Sequence, residues 1–237
     1  MIVIYLKRYT VYKERWASII VGIVKRTLKS QVYDYLKEQI TIGNIRPGER
    51  LIEEKIGQTL DVSRSPIREA IRMLEKDGFL HLTKTGGVEV VKPSLVDYQY
   101  LYECRIEMES AAVYYAAARR TKEQLKQIEK AIDTYSTGLK VNDQSKVKVG
   151  FHDIIIESSM NPFLISMLRQ LRGVNSFYRK AIVDTDPKHV NKALVDHEKI
   201  YDAIAACDQK SARNLMKEHI ENDYSRFISL IKEKTEG

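Results

Sequence analysis

The chain has 237 residues and a formal net charge of +7, which is enough length for two compact domains or one large one. Two cysteines, Cys104 and Cys207, are too few for a disulfide scaffold or a zinc ribbon and are typical of a reduced, cytoplasmic protein. The apolar run over residues 17–24 is too short to span a bilayer and lacks the cleavage pattern of a signal peptide, so we expect neither.

The positive charge is concentrated in the N-terminal part of the chain. Of the 39 basic and 32 acidic residues, 17 and 11 precede Pro93, whereas the remaining 22 and 21 nearly cancel. An excess of basic charge speeds the encounter with polyanions such as nucleic acid, but a solvated basic surface is also common. The charge by itself therefore favours a nucleic-acid partner only weakly.

Residues 1–29 show no clean helical or strand period, and we expect them to form a loose N-terminal extension. A first helix is predicted from Ser30 to Gly43, a short second helix over residues 52–60, and a third over residues 64–76. The second and third helices are joined by only three residues. This tight connection between two helices is typical of a helix-turn-helix.

The third helix is followed by two β-rich runs, residues 79–83 and 88–91, on either side of a glycine-containing turn. This pattern predicts a hairpin, and three helices with a hairpin form a winged helix-turn-helix over residues 30–93. Apolar residues recur on one face of the third helix at helical spacing, which leaves Arg64 and Arg68 on another face. Such a helix can dock on its neighbour and still enter the major groove.

The chain after Pro93 has the periodicity of helix throughout. Ser94 and Asp97 form a capping-box pattern, and Thr121, Asn161 and Asp186 supply further helix N-caps. Six helices and no convincing strand are predicted over residues 94–237. We therefore expect a mainly α protein in which an all-α helical bundle follows the winged helix-turn-helix.

Two motifs in the N-terminal part resemble a known family. Residues 43–51 read Gly-x-x-x-Pro-Gly-Glu-x-Leu, and residues 62–70 read Val-Ser-Arg-Ser-Pro-Ile-Arg-Glu-Ala. Together with the hairpin, and over residues 31–91, they resemble the GntR family of bacterial transcription regulators. The resemblance implies binding of double-stranded DNA through these residues: Arg50, Ser63, Arg64, Ser65 and Arg68, with Lys84, Thr85 and Gly86 at the tip of the wing.

Arginine suits a recognition helix because its planar guanidinium can bond O6 and N7 of guanine together, or clamp a phosphate. Arg64 and Arg68 are therefore the leading candidates for DNA reading. On an arbitrary helix the same arginines would more often form an ordinary solvated face. The surrounding motif reverses that preference.

Three histidines, His152, His197 and His219, lie on the apolar faces of three different predicted helices. Helical spacing therefore turns all three rings inward. A single inward histidine is usually a core residue satisfied by one hydrogen bond. Three together favour a shared site.

Residues 95–230 resemble the ligand-binding domain of the FadR-like branch of GntR regulators, the FCD type. The matching residues are Arg105-x-x-x-Glu109, Phe151-His152, Asn161-Pro162, His197 and Met216-x-x-His219. The resemblance implies an effector-binding and dimerisation domain with a divalent metal held by an aspartate and three histidines. The histidines match, but Lys148 stands four residues before His152, where the family has the aspartate.

Two versions of the pocket therefore stay open. Three neutral imidazoles can hold zinc or nickel, completed by water or by a carboxylate of the effector. In the other version the pocket holds no metal and Lys148 binds the effector. Arg105 needs an anionic partner if it is buried, either Glu109 or, by the resemblance, the acid group of an effector that we expect to be a small organic acid.

We therefore expect a homodimeric repressor that binds a pseudo-palindromic operator and is modulated by a small carboxylate effector. An activator would use the same contacts. The alternative from another class is a metal-dependent hydrolase built on the three-histidine site. Because no HExxH helix, GxSxG elbow, Walker loop or supported general base is present, we do not expect an enzyme.

Overall fold

The computed structural model describes residues 26–136, 150–182 and 190–236. These residues form nine helices and one small three-stranded sheet, which confirms the predicted fold class of a winged helix-turn-helix followed by an all-α part. The proposed N-terminal extension lies outside the described residues except for its last positions. Leu28 and Lys29 of that extension already belong to the first helix.

The N-terminal part contains α1 (Leu28–Ile42), α2 (Glu53–Leu60) and α3 (Arg64–Lys76). Helix α1 ends at Gly43, whose φ of 83° is in the left-handed region that glycine adopts without a steric penalty. Helix α3 buries the residues whose spacing predicted an apolar face: Ile67, Ala70, Ile71 and Leu74. This face packs into a core with α1 and α2 and leaves the opposite face of α3 exposed.

The sheet contains β1 (Arg50–Leu51), β2 (Leu80–Leu82) and β3 (Val88–Val90) in the antiparallel order β1-β3-β2. The hairpin of β2 and β3 is the wing that the sequence predicts. Strand β1 was not predicted, because two residues are too few to show the alternation of a strand. It forms because the turn before it brings the chain alongside β3, where the Gly48 N–H donates to the Val90 carbonyl over 2.8 Å.

The C-terminal part contains six described helices, the predicted number. They are α4 (Leu95–Arg119), α5 (Lys122–Ser136), α6 (Phe151–Ser158), α7 (Pro162–Ile182), α8 (Val190–Ala205) and α9 (Gln209–Glu236). Helix α4 packs most extensively against α9. The shared core is rich in aromatic rings, among them Tyr98, Tyr102, Phe151 and Phe227.

Three of the predicted N-caps are present. Ser94 and Asp97 exchange the two hydrogen bonds of a capping box at the start of α4. The Thr121 hydroxyl accepts from the N–H of Gln124, and the Asn161 side chain accepts from the first turn of α7. The cap proposed at Asp186 lies outside the described residues.

Helix α7 joins the two parts of the protein. Phe177 is 1% exposed and lies in the N-terminal core, with its ring centroid 5.7 Å from that of Phe79. Val174 and Tyr178 contact both the N-terminal and the C-terminal core. The Gln170 amide also donates to the carbonyl of Lys76 at the end of α3. The winged helix is thus packed on the helical bundle through one helix of the bundle.

Candidate functional site

The DNA-contact candidates of the helix-turn-helix lie at the exposed start of α3. Ser63 is the N-cap of this helix, but its hydroxyl makes no capping hydrogen bond. Ser63, Arg64, Ser65 and Arg68 are all exposed. Their side chains present hydroxyl and guanidinium donors on one surface, as a recognition helix requires.

Two acidic residues of α2 pair with the arginines of α3. The Arg68 Nε donates to Glu53 Oε2 over 2.7 Å. Arg64 is less closely paired, since its Nη2 lies 3.8 Å from Glu54 Oε1. Exposed pairs of this kind contribute little to folding stability.

The other DNA-contact candidates meet at the wing. Lys84, Thr85 and Gly86 form its exposed turn, and Gly86 has a φ of 81°. Arg50 in β1 lies beside this turn. Its Nε would be only 2.8 Å from a Cβ added at Gly87. The absence of a side chain at Gly87 therefore leaves the space in which the Arg50 guanidinium rests. The structure places Arg50 with the wing rather than with α3.

The second candidate site is the histidine cluster. His152 on α6, His197 on α8 and His219 on α9 each offer one ring nitrogen within 4.8 Å of the others. His197 and His219 are buried and His152 is half-buried. The structure therefore brings together the three histidines that the sequence analysis singled out.

Carboxylates orient two of these imidazoles. Glu109 Oε2 lies 2.7 Å from His152 Nδ1, and Asp196 Oδ2 lies 3.2 Å from His219 Nδ1. The Nε2 atoms of His152 and His219 are left facing each other at 3.3 Å. Two nitrogens bound to a tetrahedral zinc at its usual bond length stand roughly 3.3 Å apart. The donor set and its spacing therefore fit a zinc-like divalent ion.

The protonation of the cluster also suits a metal. Burial, reinforced by the neighbouring His152, lowers the pKa of His197 to about 2. Burial also lowers the pKa of His219 to about 4. Neutral imidazole is the form that coordinates a metal ion. At neutral pH these two ligands need not lose a proton before binding one.

Arg105 is buried next to the histidine cluster. Its Nε donates to Glu109 Oε1 over 2.7 Å, its Nη1 donates to Asn175 Oδ1 over 3.2 Å, and Asp223 lies 3.7 Å away. The internal salt bridge to Glu109 is therefore present, and the contact to an effector stays a prediction. Burial alone would raise the pKa of Glu109, but Arg105, His152 and Arg172 together outweigh it and hold that pKa well below its ordinary value. Lys148 lies outside the described residues.

A buried polar group that the sequence did not predict adjoins Arg105. Arg179 on α7 donates to both oxygens of Asp223 on α9, over 2.7 and 2.8 Å, and Tyr102 also donates to Asp223. Burial would raise the pKa of Asp223, but Arg179, with Tyr102 and Arg105, lowers it below its ordinary value. One signal was available, because Asp223 follows His219 by four residues and so lies on the same helical face.

Asp196 was also missed. It immediately precedes His197 in the chain, yet its carboxylate holds His219 on another helix. Local periodicity gives no indication of such a pairing, because it depends on how α8 packs against α9.

Among the described helices, none is both long enough and apolar enough to cross a membrane.

Family models and known proteins match the chain along most of its length. The model described as bacterial regulatory proteins of the gntR family matches residues 28–90, and the FCD domain model matches residues 100–222. The uncharacterized HTH-type transcriptional regulator YdhC of Bacillus subtilis is 28% identical over 87% of this chain and 94% of its own length. The Exu regulon transcriptional regulator of Escherichia coli is 27% identical, over 83% of each chain.

Another relative is the HTH-type transcriptional repressor NanR of Cronobacter sakazakii, 25% identical over 90% of each chain. The solved structure of E. coli McbR/YncC superposes with a TM-score of 0.71, at 22% identity, covering 86% of this chain and 98% of that one, which shows the shared fold. None of these matches supports the hydrolase alternative. The chain belongs to the GntR family and is a DNA-binding transcriptional regulator with an FCD-type effector-binding domain.

Proposed function

We propose that the protein is a repressor that binds operator DNA through α3 and the wing and is modulated by a small organic acid. The observation that carries the DNA contacts is the exposed start of α3, where the side chains of Arg64 and Arg68 lie beside the buried stripe and face solvent. The name of the relative NanR, a repressor, favours repression. The cytoplasm remains the predicted compartment, because that is where a bacterial operator is bound. We place the boundary between the two domains at Pro93.

We further propose that the protein acts as a homodimer on a pseudo-palindromic operator, since a two-fold dimer presents two recognition helices to two half-sites. Exposed apolar side chains on two helices of the bundle support this. Val96, Tyr100 and Cys104 recur every four residues on α4, and Phe163 and Met167 do so on α7, which packs against α4. Phe163 is 79% exposed and Met167 50%. Large exposed apolar side chains on two adjacent helices favour contact with a second copy.

In the effector domain, we propose that His152, His197 and His219 hold a divalent metal, zinc or nickel. The ion would act as a Lewis acid and bind a carboxylate of the effector. Glu109 and Asp196 fix the rings, and Arg105 offsets the negative charge of Glu109. Lys148 remains the proposed partner of the effector in a metal-free pocket. Native mass spectrometry with elemental analysis of the purified protein would identify the metal and any acid that remains bound.

The DNA assignment is tested by Arg64→Ala and Arg68→Ala, with Arg213→Ala on the exposed surface of α9 as the matched control. The probe is a duplex that the wild-type protein enriches from a random-sequence pool. We expect each recognition-helix variant to bind this duplex about 5- to 150-fold more weakly, because a bidentate arginine contact is worth about 1–3 kcal/mol. The slope of log affinity against log salt should also fall.

Circular dichroism and thermal melting would show that these variants remain folded. Arg213→Ala should bind the selected duplex as the wild type does. If both recognition-helix variants bind with wild-type affinity, or if the wild type enriches no duplex, the proposed DNA contacts are wrong.

A further inference from the structure

The pairing of α2 with α3 differs between its two ion pairs. Glu53, the first residue of α2, accepts a hydrogen bond from the Arg68 Nε over 2.7 Å, and its side chain is only 33% exposed. Glu54 is 66% exposed, and its carboxylate lies 3.8 Å from Arg64, which is too far for a hydrogen bond. Two neighbouring glutamates thus face two recognition-helix arginines, but only one of them fixes its arginine.

The nitrogen of Arg68 that bonds to Glu53 determines which edge of the guanidinium can read a base. A guanidinium has five N–H groups: one on Nε and four on Nη1 and Nη2. The carboxylate takes the Nε group, and among the described residues the Nη atoms of Arg68 have no hydrogen-bond partner. The Nη1–Nη2 edge can still donate two parallel hydrogen bonds to O6 and N7 of guanine. The edge formed by Nε and Nη2 cannot, because Nε is already bonded.

We propose that Glu53 is a positioning residue that holds Arg68 for end-on reading of a guanine in the operator. This inference rests on the proposed DNA contacts. A carboxylate near the phosphates weakens binding to every DNA sequence, since like charges repel. It also orders a long side chain before binding, which lowers the entropy lost when Arg68 meets its base. The ordering strengthens binding only to a sequence that carries the guanine. Glu53 therefore lowers the affinity for DNA in general and raises the specificity for that sequence.

The test compares Glu53→Ala with Glu54→Ala. Both variants remove one negative charge from the same turn of α2, but only the first removes the bond to the Arg68 Nε. The probes are the duplex that the wild type selects and a scrambled duplex of the same composition, at fixed salt. We expect Glu54→Ala to strengthen binding to both by a similar factor, so that the affinity ratio is unchanged. Glu53→Ala should strengthen binding to the scrambled duplex alone and lower the ratio about tenfold.

Three further measurements isolate the positioning role. Glu53→Gln keeps an acceptor for Nε and should restore most of the ratio. Glu53→Ala combined with Arg68→Ala should give the same ratio as Arg68→Ala alone. Replacing the critical guanine by 7-deazaguanine, which lacks the N7 acceptor, should weaken the wild type more than Glu53→Ala.

The outcomes separate this inference from the proposed function. If Arg68→Ala leaves the ratio unchanged, the assignment of Arg68 to DNA reading is wrong. If Arg68→Ala lowers the ratio but Glu53→Ala and Glu54→Ala behave alike, Glu53 is only a surface charge and the positioning role is overturned. An equal effect of Glu53→Ala with and without Arg68 would also overturn it.

Discussion

Each histidine of the cluster is fixed by a residue from another helix. Glu109 on α4 holds His152, Asp196 on α8 holds His219, and the ring of Phe151 on α6 stacks on His197 with centroids 4.0 Å apart. A carboxylate on Nδ1 leaves Nε2 as the ligand atom and makes the ring a better donor. The affinity of the site for a metal therefore depends on these partners as well as on the imidazoles.

Asp196→Asn should weaken zinc binding by about 10- to 100-fold, the usual cost of losing a carboxylate behind a ligating histidine. The affinity is measured by competition with a chromophoric chelator. Asp202→Asn, an exposed position on the same helix, serves as the matched control and should bind zinc like the wild type. Equal zinc affinity in the two variants would show that Asp196 does not support the site.

The lowered pKa values of His197 and His219 predict how stability depends on pH in the metal-free protein. An unfolded histidine has a pKa near 6.5, whereas the folded values are about 2 and about 4. Between pH 6.5 and about 4 the unfolded state therefore binds more protons, and the free energy of unfolding must fall as the pH falls. The slope is at most about 1.4 kcal/mol per pH unit for each histidine. Urea melts with chelator present, from pH 7 to pH 5, measure it.

His197→Phe removes one of these groups and keeps a ring to stack on Phe151, so its stability should fall less steeply with acid than that of the wild type. His81→Gln, at an exposed position of β2, is the control and should keep the wild-type slope. A wild-type protein whose stability is flat from pH 6.5 to 5 would contradict the prediction.

Among the described helices of the bundle, α7 makes the most extensive contacts with the winged helix. Its Phe177 packs in the core of the winged helix. Two residues to either side, Asn175 accepts a hydrogen bond from Arg105 and Arg179 donates one to Asp223. A packed helix moves as a unit, because interiors are dense and resist deformation. We therefore expect a change around Arg105 or Asp223 to reach the winged helix through α7.

Phe177→Ala should lower the free energy of unfolding by about 3–5 kcal/mol, because it leaves a cavity in the N-terminal core. It should also reduce the effect of zinc on affinity for the selected duplex, since the helix that links the two parts packs less well. Denaturant melts and binding with and without zinc give both quantities. Val195→Ala, at a half-exposed position of α8, should change neither. An unchanged zinc effect in a destabilised Phe177→Ala would remove α7 from the coupling.

At the scale of the whole molecule, the DNA surface and the histidine cluster belong to different parts of one chain, so any influence of one on the other must be reciprocal. If the metal or the effector weakens DNA binding, DNA must weaken binding of the metal or the effector by the same factor. A dimer doubles the recognition helices, and its formation is open to direct test.

Phe163→Asp combined with Met167→Asp should convert the protein to monomers, because a carboxylate placed in an apolar contact loses its hydration without a partner. Sedimentation velocity measures the change, and affinity for the selected duplex should fall with it. Val195→Asp tests a charge at another exposed apolar position and should remain dimeric. A double variant that sediments like the wild type would place the dimer contact elsewhere.

The sequence by itself determined the order of the elements, the buried face of α3, the wing and the three inward histidines, because each depends on local periodicity, capping or turn chemistry. Only the tertiary structure decided the rest. The pairing of β1 with β3, of Glu53 with Arg68, of Asp196 with His219 and of Arg179 with Asp223 each joins residues from different elements. Their partners follow from how the elements pack, and no local pattern records that packing.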